Sequence, residues 1–151
     1  MRVEDLTGRV LVDTNVLLYA TLTTDPRHLI ARAVLALRLR PDVALYISVQ
    51  NLAEMYPNLT GPKNQSPDSP TVAREKIRSL TRLRGLTVLP LSLETTHLAL
   101  DLCVEGGVIR QDFFDRQLAA LMIRESIPII LTENVKDFSG IAGITPFNPF
   151  A

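Results

Sequence analysis

The chain holds a single cysteine, Cys103, among 151 residues, and its only histidines are His28 and His97. One cysteine excludes an intramolecular disulfide and any cysteine-rich zinc site, and it suits a reducing cytoplasm. Cys103 itself reads as a small buried hydrophobe. Tryptophan is absent and aromatic residues make up 5% of the chain. They are not interleaved with basic residues, so no stacking platform for single-stranded nucleic acid is evident. Net charge is lacking too, with 16 Lys and Arg against 16 Asp and Glu. A polyanion would therefore have to be met by a local patch, not by a global field. No apolar run is long enough to span a membrane, and Met1-Arg2-Val3-Glu4-Asp5 has no signal-peptide core. The expectation is a soluble cytoplasmic protein without membrane contact.

What the chain does have is apolar material, 46% of its residues, enough to bury one sizeable core in a single domain over 1–151. Short apolar runs alternate with longer stretches of helical period, the pattern of βαβ units around a parallel sheet. The expected strands are Arg9 to Val12, Ala44 to Ser48, Thr87 to Leu91 and Ile127 to Leu131, with a short fifth at Gly143 to Phe147. Arg27 to Arg40 and Thr71 to Arg84 each carry apolar residues on one face and read as amphipathic helices. Further helices are expected from Leu93 to Val104, stopped by Gly106-Gly107, and from Asp112 to Glu125, stopped by Pro128. Pro57 to Pro70 is too rich in proline and glycine for helix or strand and reads as an exposed loop, either a substrate lid or a tolerated insertion.

Acidic residues stand at the ends of these strands. Asp13 directly follows Arg9-Val10-Leu11-Val12 and precedes Thr14-Asn15. In an open α/β sheet that position faces the ligand crevice. Glu54 falls in the second turn of a helix that Ser48 would cap, and Asp115 lies at the start of Asp115-Arg116-Gln117-Leu118-Ala119-Ala120, with Asp112 a competing helix-start residue. After the fourth strand comes Thr132-Glu133-Asn134-Val135-Lys136-Asp137-Phe138. If the carboxylates converge, two unit charges about 4 Å apart cost roughly 4 kcal/mol at an effective dielectric near 20. Either one is protonated or a cation lies between them. With oxygen ligands and neither cysteine nor histidine in the acidic segments, that cation would be Mg²⁺ or Mn²⁺. Arg110 and Arg116 flank Asp115 and are candidates for contacting a phosphate, while Arg74, Arg78 and Arg82 form a stripe that reads as a solvated face.

Leu11-Val12-Asp13-Thr14-Asn15-Val16-Leu17, Gln50-Asn51-Leu52-Ala53-Glu54-Met55-Tyr56, Phe114-Asp115-Arg116-Gln117-Leu118-Ala119-Ala120 and Leu131-Thr132-Glu133-Asn134-Val135-Lys136-Asp137-Phe138, with Asn148-Pro149 near the end, together resemble the PIN-domain ribonucleases. Among these, the chain is most similar to VapC-type toxins of toxin–antitoxin pairs. The resemblance implies a PIN-like three-layer α/β/α sandwich with a parallel sheet of four to five strands. It also implies a metal-dependent endoribonuclease in which Asp13, Glu54 and Asp115 form the acidic metal core and Thr132 and Asn134 complete the site. Many relatives carry Asp where this chain has Asn134, which removes one charge; Asp137 either compensates or is structural. By the same resemblance Asp13 and Asp115 would bind Mg²⁺ or Mn²⁺ directly, with Glu54 a ligand through water or the group orienting the nucleophile. Asn15 and Thr132 would brace the crevice or serve as plain turn and cap residues. An antitoxin protein and a homodimer are implied as partners. Leu17, Leu18, Tyr19, Met55, Tyr56 and Leu59 either pack in the core or form a groove for the antitoxin's helix.

Other α/β readings fail at their motifs. A phosphoaspartyl hydrolase needs a second Asp two positions after the first, where Asn15 stands. A receiver domain needs an acceptor Asp after the third strand, where Leu89-Pro90-Leu91-Ser92 offers none. The competing reading from another class is a catalytically inactive PIN-fold binding or scaffold protein, and divalent-metal affinity separates it from the enzyme.

Overall fold

A computed structural model describes residues 1–62 and 64–151. Its centre is a five-stranded sheet, β1 (Gly8–Val12), β2 (Val43–Ser48), β3 (Leu86–Leu89), β4 (Ile129–Leu131) and β5 (Thr145–Phe147), in the order β3-β2-β1-β4-β5 with every pairing parallel. Among the described residues the helices are α1 (Thr14–Thr21), α2 (His28–Ala36), α3 (Val49–Thr60), α4 (Pro70–Thr81), α5 (Leu93–Gly106) and α6 (Phe113–Glu125).

Strand side chains alternate between faces, and the core divides accordingly. Val10, Val12, Leu45, Ile47 and Leu131 pack with Val16, Leu17, Ala31, Val34, Met55, Leu59, Ala73 and Leu80 from α1 to α4. Leu11, Leu89 and Ile130 pack on the opposite face with Leu118, Ala119, Leu121 and Met122 of α6 and with Phe138. This is the three-layer sandwich that the sequence resemblance implied. The small residues Ala119 and Ala120, both buried, let α6 lie close on the sheet.

Local chemistry sets the boundaries. Asp13, Ser48, Ser69 and Ser92 cap α1, α3, α4 and α5 through their side chains. Gly107, left-handed at φ 62, ends α5 as its place after Gly106 suggested. The end of α6 is left-handed at Ser126, and the Ile127 N–H donates to Met122 O at 2.8 Å. That cap takes Ile127 out of the strand, so β4 begins at Ile129 and not at Ile127. Likewise the expected helix from Arg27 to Arg40 is α2 followed by a 3-10 turn at Leu37–Leu39.

The loop expected from Pro57 to Pro70 is shorter than the sequence suggested, because α3 runs through Pro57 to Thr60 and α4 begins at Pro70. Leu59, fully buried, holds this last turn against the core, and the Asn58 side chain donates to Glu54 O at 2.8 Å. Ala53, whose carbonyl loses its partner to the proline, is solvent-exposed. A Cβ on Gly61 would lie 2.6 Å from Pro57 O, so the chain turns away at a residue without one. Of the remaining loop, Lys63 lies outside the described residues. Asp68 is tied back by its N–H to Leu59 O at 2.8 Å and by Lys76 Nζ at 2.9 Å. Cys103 is half-buried, less enclosed than expected, since it lies on a helix with an exposed outer face.

Candidate active site

The strand order reverses between β1 and β4, where β1 leads on to β2 and β4 on to β5. Outside such a reversal the loops diverge and leave a crevice at the carboxyl ends of the strands. Asp13 follows β1 and Thr132 follows β4, so the crevice has one of them on each side. The register carries on past both strands, with Asp13 N–H donating to Leu131 O at 2.9 Å and Thr132 N–H to Phe147 O at 3.0 Å.

Asp13 is buried at 7% exposure and its carboxylate is held on both oxygens. Oδ1 accepts from the Thr14 N–H at 2.7 Å, and Oδ2 accepts from Thr132 Oγ1 at 2.8 Å and from Asn15 Nδ2 at 3.4 Å. Asn15 Oδ1 accepts from the Glu133 N–H at 3.1 Å, so Asn15 ties the end of β1 to the end of β4. Thr132 Oγ1 also accepts from the Asn134 N–H at 3.0 Å. Despite these donors, burial drives the Asp13 carboxyl up to about 6, with the negative charges of Glu54 and Asp137 adding to the effect.

Glu54 occupies the second turn of α3 with both oxygens committed. Oε1 accepts from Gln50 Nε2 at 2.7 Å and Oε2 from Thr14 Oγ1 at 3.0 Å. The Thr14 hydroxyl accepts in turn from Asn51 Nδ2 at 3.0 Å, and Asn51 Oδ1 receives the Ser48 N–H at 2.9 Å. The cap of α3 and the orientation of Glu54 are thus one network.

Asp115, in the first turn of α6, is pushed up to about 7, first by burial and then by the charges of Asp137, Asp13, Asp112 and Glu54. Four elements therefore direct carboxylates toward one another: Asp13 after β1, Glu54 on α3, Asp115 on α6 and Asp137 in the 3-10 turn Val135–Asp137. These are the acids singled out in the sequence. The donors are all oxygen, which suits a hard divalent cation. Among the described residues no three His, Cys, Asp or Glu side chains are already gathered around one ion position. The charges sense one another across the crevice without closing on a point.

Of the other candidates, Asn134 is exposed and precedes the 3-10 turn without a side-chain cap bond, and Arg110 is exposed at the entry to α6 with φ 57. Arg116 is half-buried and its Nη1 donates to the backbone carbonyl of Asp137 at 3.4 Å. Arg74, Arg78 and Arg82 are exposed, as a solvated stripe should be. Leu17, Met55 and Leu59 are core residues, whereas Tyr56 is 42% exposed. A cavity of about 460 Å³ between the N-terminal turn, α2 and the C-terminal segment, lined by Val3, Ile30, Ala33 and Phe147, involves none of Asp13, Glu54, Asp115 and Asp137.

The PIN domain model matches residues 10–144 of this chain. The chain belongs to the PIN domain family. No curated protein matches it in sequence. Among solved structures, this PIN domain is similar to VapC20 of Mycobacterium tuberculosis, described as a sarcin–ricin loop cleaving toxin, at 17% identity and a TM-score of 0.67 over 91% of this chain and 99% of that one. It is similar to VapBC-1 of nontypeable Haemophilus influenzae at 20% identity and a TM-score of 0.67, covering 95% and 99% of the two chains. A toxin–antitoxin complex from Klebsiella pneumoniae matches at 21% identity and a TM-score of 0.60, covering 93% and 97%. At these identities the likeness establishes the fold.

Several residues that hold the PIN-domain site were not singled out from sequence. Thr14 and Asn51 orient Glu54; the Ser48-x-x-Asn51 spacing of a capping box was a readable signal for the second. Arg27 stacks on the Tyr19 ring, 3.7 Å from its centroid, and its Nη1 donates to Glu133 Oε1 at 2.8 Å, while the Tyr19 hydroxyl donates to Glu133 Oε2. This cluster clamps the residue after Thr132. It joins segments more than a hundred positions apart, so no local pattern revealed it.

Proposed function

We propose that this PIN domain is a divalent-metal-dependent endoribonuclease that hydrolyses RNA phosphodiester bonds, acting as the toxin of a type II toxin–antitoxin pair in the cytoplasm. The observation that carries the reading is the gathering of acids at the carboxyl edge of the sheet: Thr14 bonds both Asp13 and Glu54, Gln50 bonds both Glu54 and the carbonyl beside Asp115, and burial with mutual repulsion pushes the Asp13 and Asp115 carboxyls up. Carboxylates assembled at such a cost are poised for a cation.

Asp13 and Asp115 would hold Mg²⁺ or Mn²⁺, with Glu54 and Asp137 beside them. A bound divalent ion supplies charge neutralisation at the phosphoryl group and lowers the pKa of water. The protein's own residues do the rest. Thr132, Asn15 and the Thr14 N–H fix the direction of the Asp13 carboxylate. Glu54, clamped by Gln50 and Thr14, keeps a lone pair on each oxygen to orient an attacking water or take its proton. Arg110 and Arg116, which flank Asp115 in the chain, would be the groups to contact a phosphate. Asn134 contributes a neutral amide, which favours one ion over two.

Partner binding is supported by the likeness to toxin–antitoxin complexes and by a groove of about 460 Å³ lined by Tyr56, Pro70, Ile77, Arg74 and Arg78. An amphipathic antitoxin helix with acidic flanks would fit that apolar floor and basic rim. Homodimerisation is part of the same reading, since α5 exposes Leu93, Leu100 and Val104. The test is cleavage of structured and single-stranded RNA with Mg²⁺, Mn²⁺ or EDTA, wild type beside Asp13→Ala. Metal-dependent cutting that the variant loses is expected. Absence of cutting by folded wild type with every metal would favour the inactive scaffold.

A further inference from the structure

Behind the acids lies a line of buried amides, of which the catalytic roles use only the bond from Gln50 to Glu54. Gln50 and Gln117 are 5% and 7% exposed. Gln50 Nε2 donates to Glu54 Oε1 at 2.7 Å and to Phe114 O, the carbonyl next to Asp115, at 2.9 Å. Gln117 Nε2 donates to Gln50 Oε1 at 2.9 Å, and Gln117 Oε1 accepts from Thr96 Oγ1 at 2.9 Å.

The chemistry permits only one direction along this line. A carboxylate and a backbone carbonyl are acceptors only, so Gln50 must turn its NH₂ toward them and its oxygen toward Gln117. Gln117 must then donate, and its own oxygen requires the Thr96 hydroxyl as donor. Both protons of the Gln50 amide are used, one on each catalytic wall. Elsewhere α3 packs on one face of the sheet and α6 on the other, so their site-bearing ends are joined here past the carboxyl edge of the strands. Apolar side chains would fill this space without the cost of desolvating three polar groups. A fully paired buried network fixes geometry instead.

We infer that Gln50, Gln117 and Thr96 form a directional hydrogen-bond brace that sets the spacing between Glu54 on α3 and Asp115 on α6. They are positioning residues. The inference rests on the nuclease reading for its kinetic consequence, and on the hydrogen-bond geometry alone for its existence. Residues that orient ligands from behind typically change metal affinity or activity 10- to 100-fold when removed.

The experiment compares wild type with Gln50→Met, Gln117→Met, Thr96→Val and Thr96→Ser. Gln117→Met keeps the side chain's length, removes the donor and touches neither acid. Mn²⁺ affinity is read by electron paramagnetic resonance, kcat and KM by RNA cleavage, and the Gln50 side-chain amide resonances by NMR. The brace predicts that Gln117→Met lowers kcat and Mn²⁺ affinity about 10-fold or more with KM within about twofold. Thr96→Val should show a smaller loss that Thr96→Ser restores, and the Gln50 amide resonances should shift in Gln117→Met. Wild-type Mn²⁺ affinity and wild-type Gln50 resonances in a folded Gln117→Met would overturn it. If the wild type neither binds Mn²⁺ nor cuts RNA, the nuclease reading has failed. The brace is then decided by the Gln50 resonances: a shift in Gln117→Met supports it, and no shift overturns it.

Discussion

Asp13 carries opposing demands in a single side chain. It caps α1 through Thr14 and receives Thr132, yet burial holds its carboxyl at about 6 instead of the ordinary 3.8. Such a shift costs its ionised form on the order of 3 kcal/mol. The native state binds the Asp13 proton more tightly than the unfolded chain does. This cost is therefore absent below about pH 4 and complete above about pH 6. Asp13→Asn removes the charge and keeps an acceptor for the Thr14 N–H. Its melting temperature without metal should exceed wild type at pH 8 and match it near pH 4, while cleavage is lost; thermal melts at both values check this. Asp115→Asn should behave alike with a smaller gain, because Asp115 is only half-buried. Asp13 and Asp115 were legible in the sequence because each stands at the end of a strand or the start of a helix, and Glu54 because it falls in the second turn of a helix that Ser48 caps; the family resemblance then grouped the three. Gln117 was not, since nothing in its own helix distinguishes a buried glutamine from a solvated one.

At the scale of elements, α3 shows how tertiary contact overrides local propensity. Proline and glycine argue against helix from residue 57 onward, yet the fully buried Leu59 extends α3 to Thr60. Leu59→Ala should cost about 2–5 kcal/mol, as buried leucine truncations do. A loss below about 1 kcal/mol in urea titration would show that this turn is not anchored by its packing. The clamp of Arg27, Tyr19 and Glu133 makes a contrasting case. Arg27 and Glu133 side chains are 36% and 32% exposed, so Arg27→Met should cost no more than about 1 kcal/mol. Its effect belongs to the loop after β4, and a lowered kcat with an almost unchanged melting temperature is the expected result in paired kinetic and thermal assays.

For the molecule as a whole, two carboxyls pushed up to about 6 and about 7 give the stability a direction in pH. In the absence of metal, stability should fall as pH rises from 5 to 8, because the folded state then ionises groups it holds protonated more readily than the unfolded chain. A divalent ion needs those groups ionised, so its affinity should rise over the same interval. At a hundred times its dissociation constant, an ion bound only to the folded state adds about 2.7 kcal/mol. Melts at pH 5 and 8 with and without Mg²⁺ should show stabilisation at pH 8 and little at pH 5. Equal shifts at both values would mean that the ion binds away from these acids.

The sequence by itself determined the alternation of strands and helices around a parallel sheet and singled out the acids that gather at its edge. Alternating apolar runs specify strands whose two faces must both be covered, and an acid directly after such a run has nowhere to go but the carboxyl edge of the sheet. The tertiary structure alone decided the order β3-β2-β1-β4-β5 and hence which strand ends border the crevice. It also decided which side chains hold the acids in place. Strand order depends on how helices pack across a sheet, and the bonds from Asn15 to Glu133, from Arg27 to Glu133 and from Gln50 to Gln117 join residues 67 to 118 positions apart. Contacts over such separations leave no period in the sequence, because they exist only once the layers have closed.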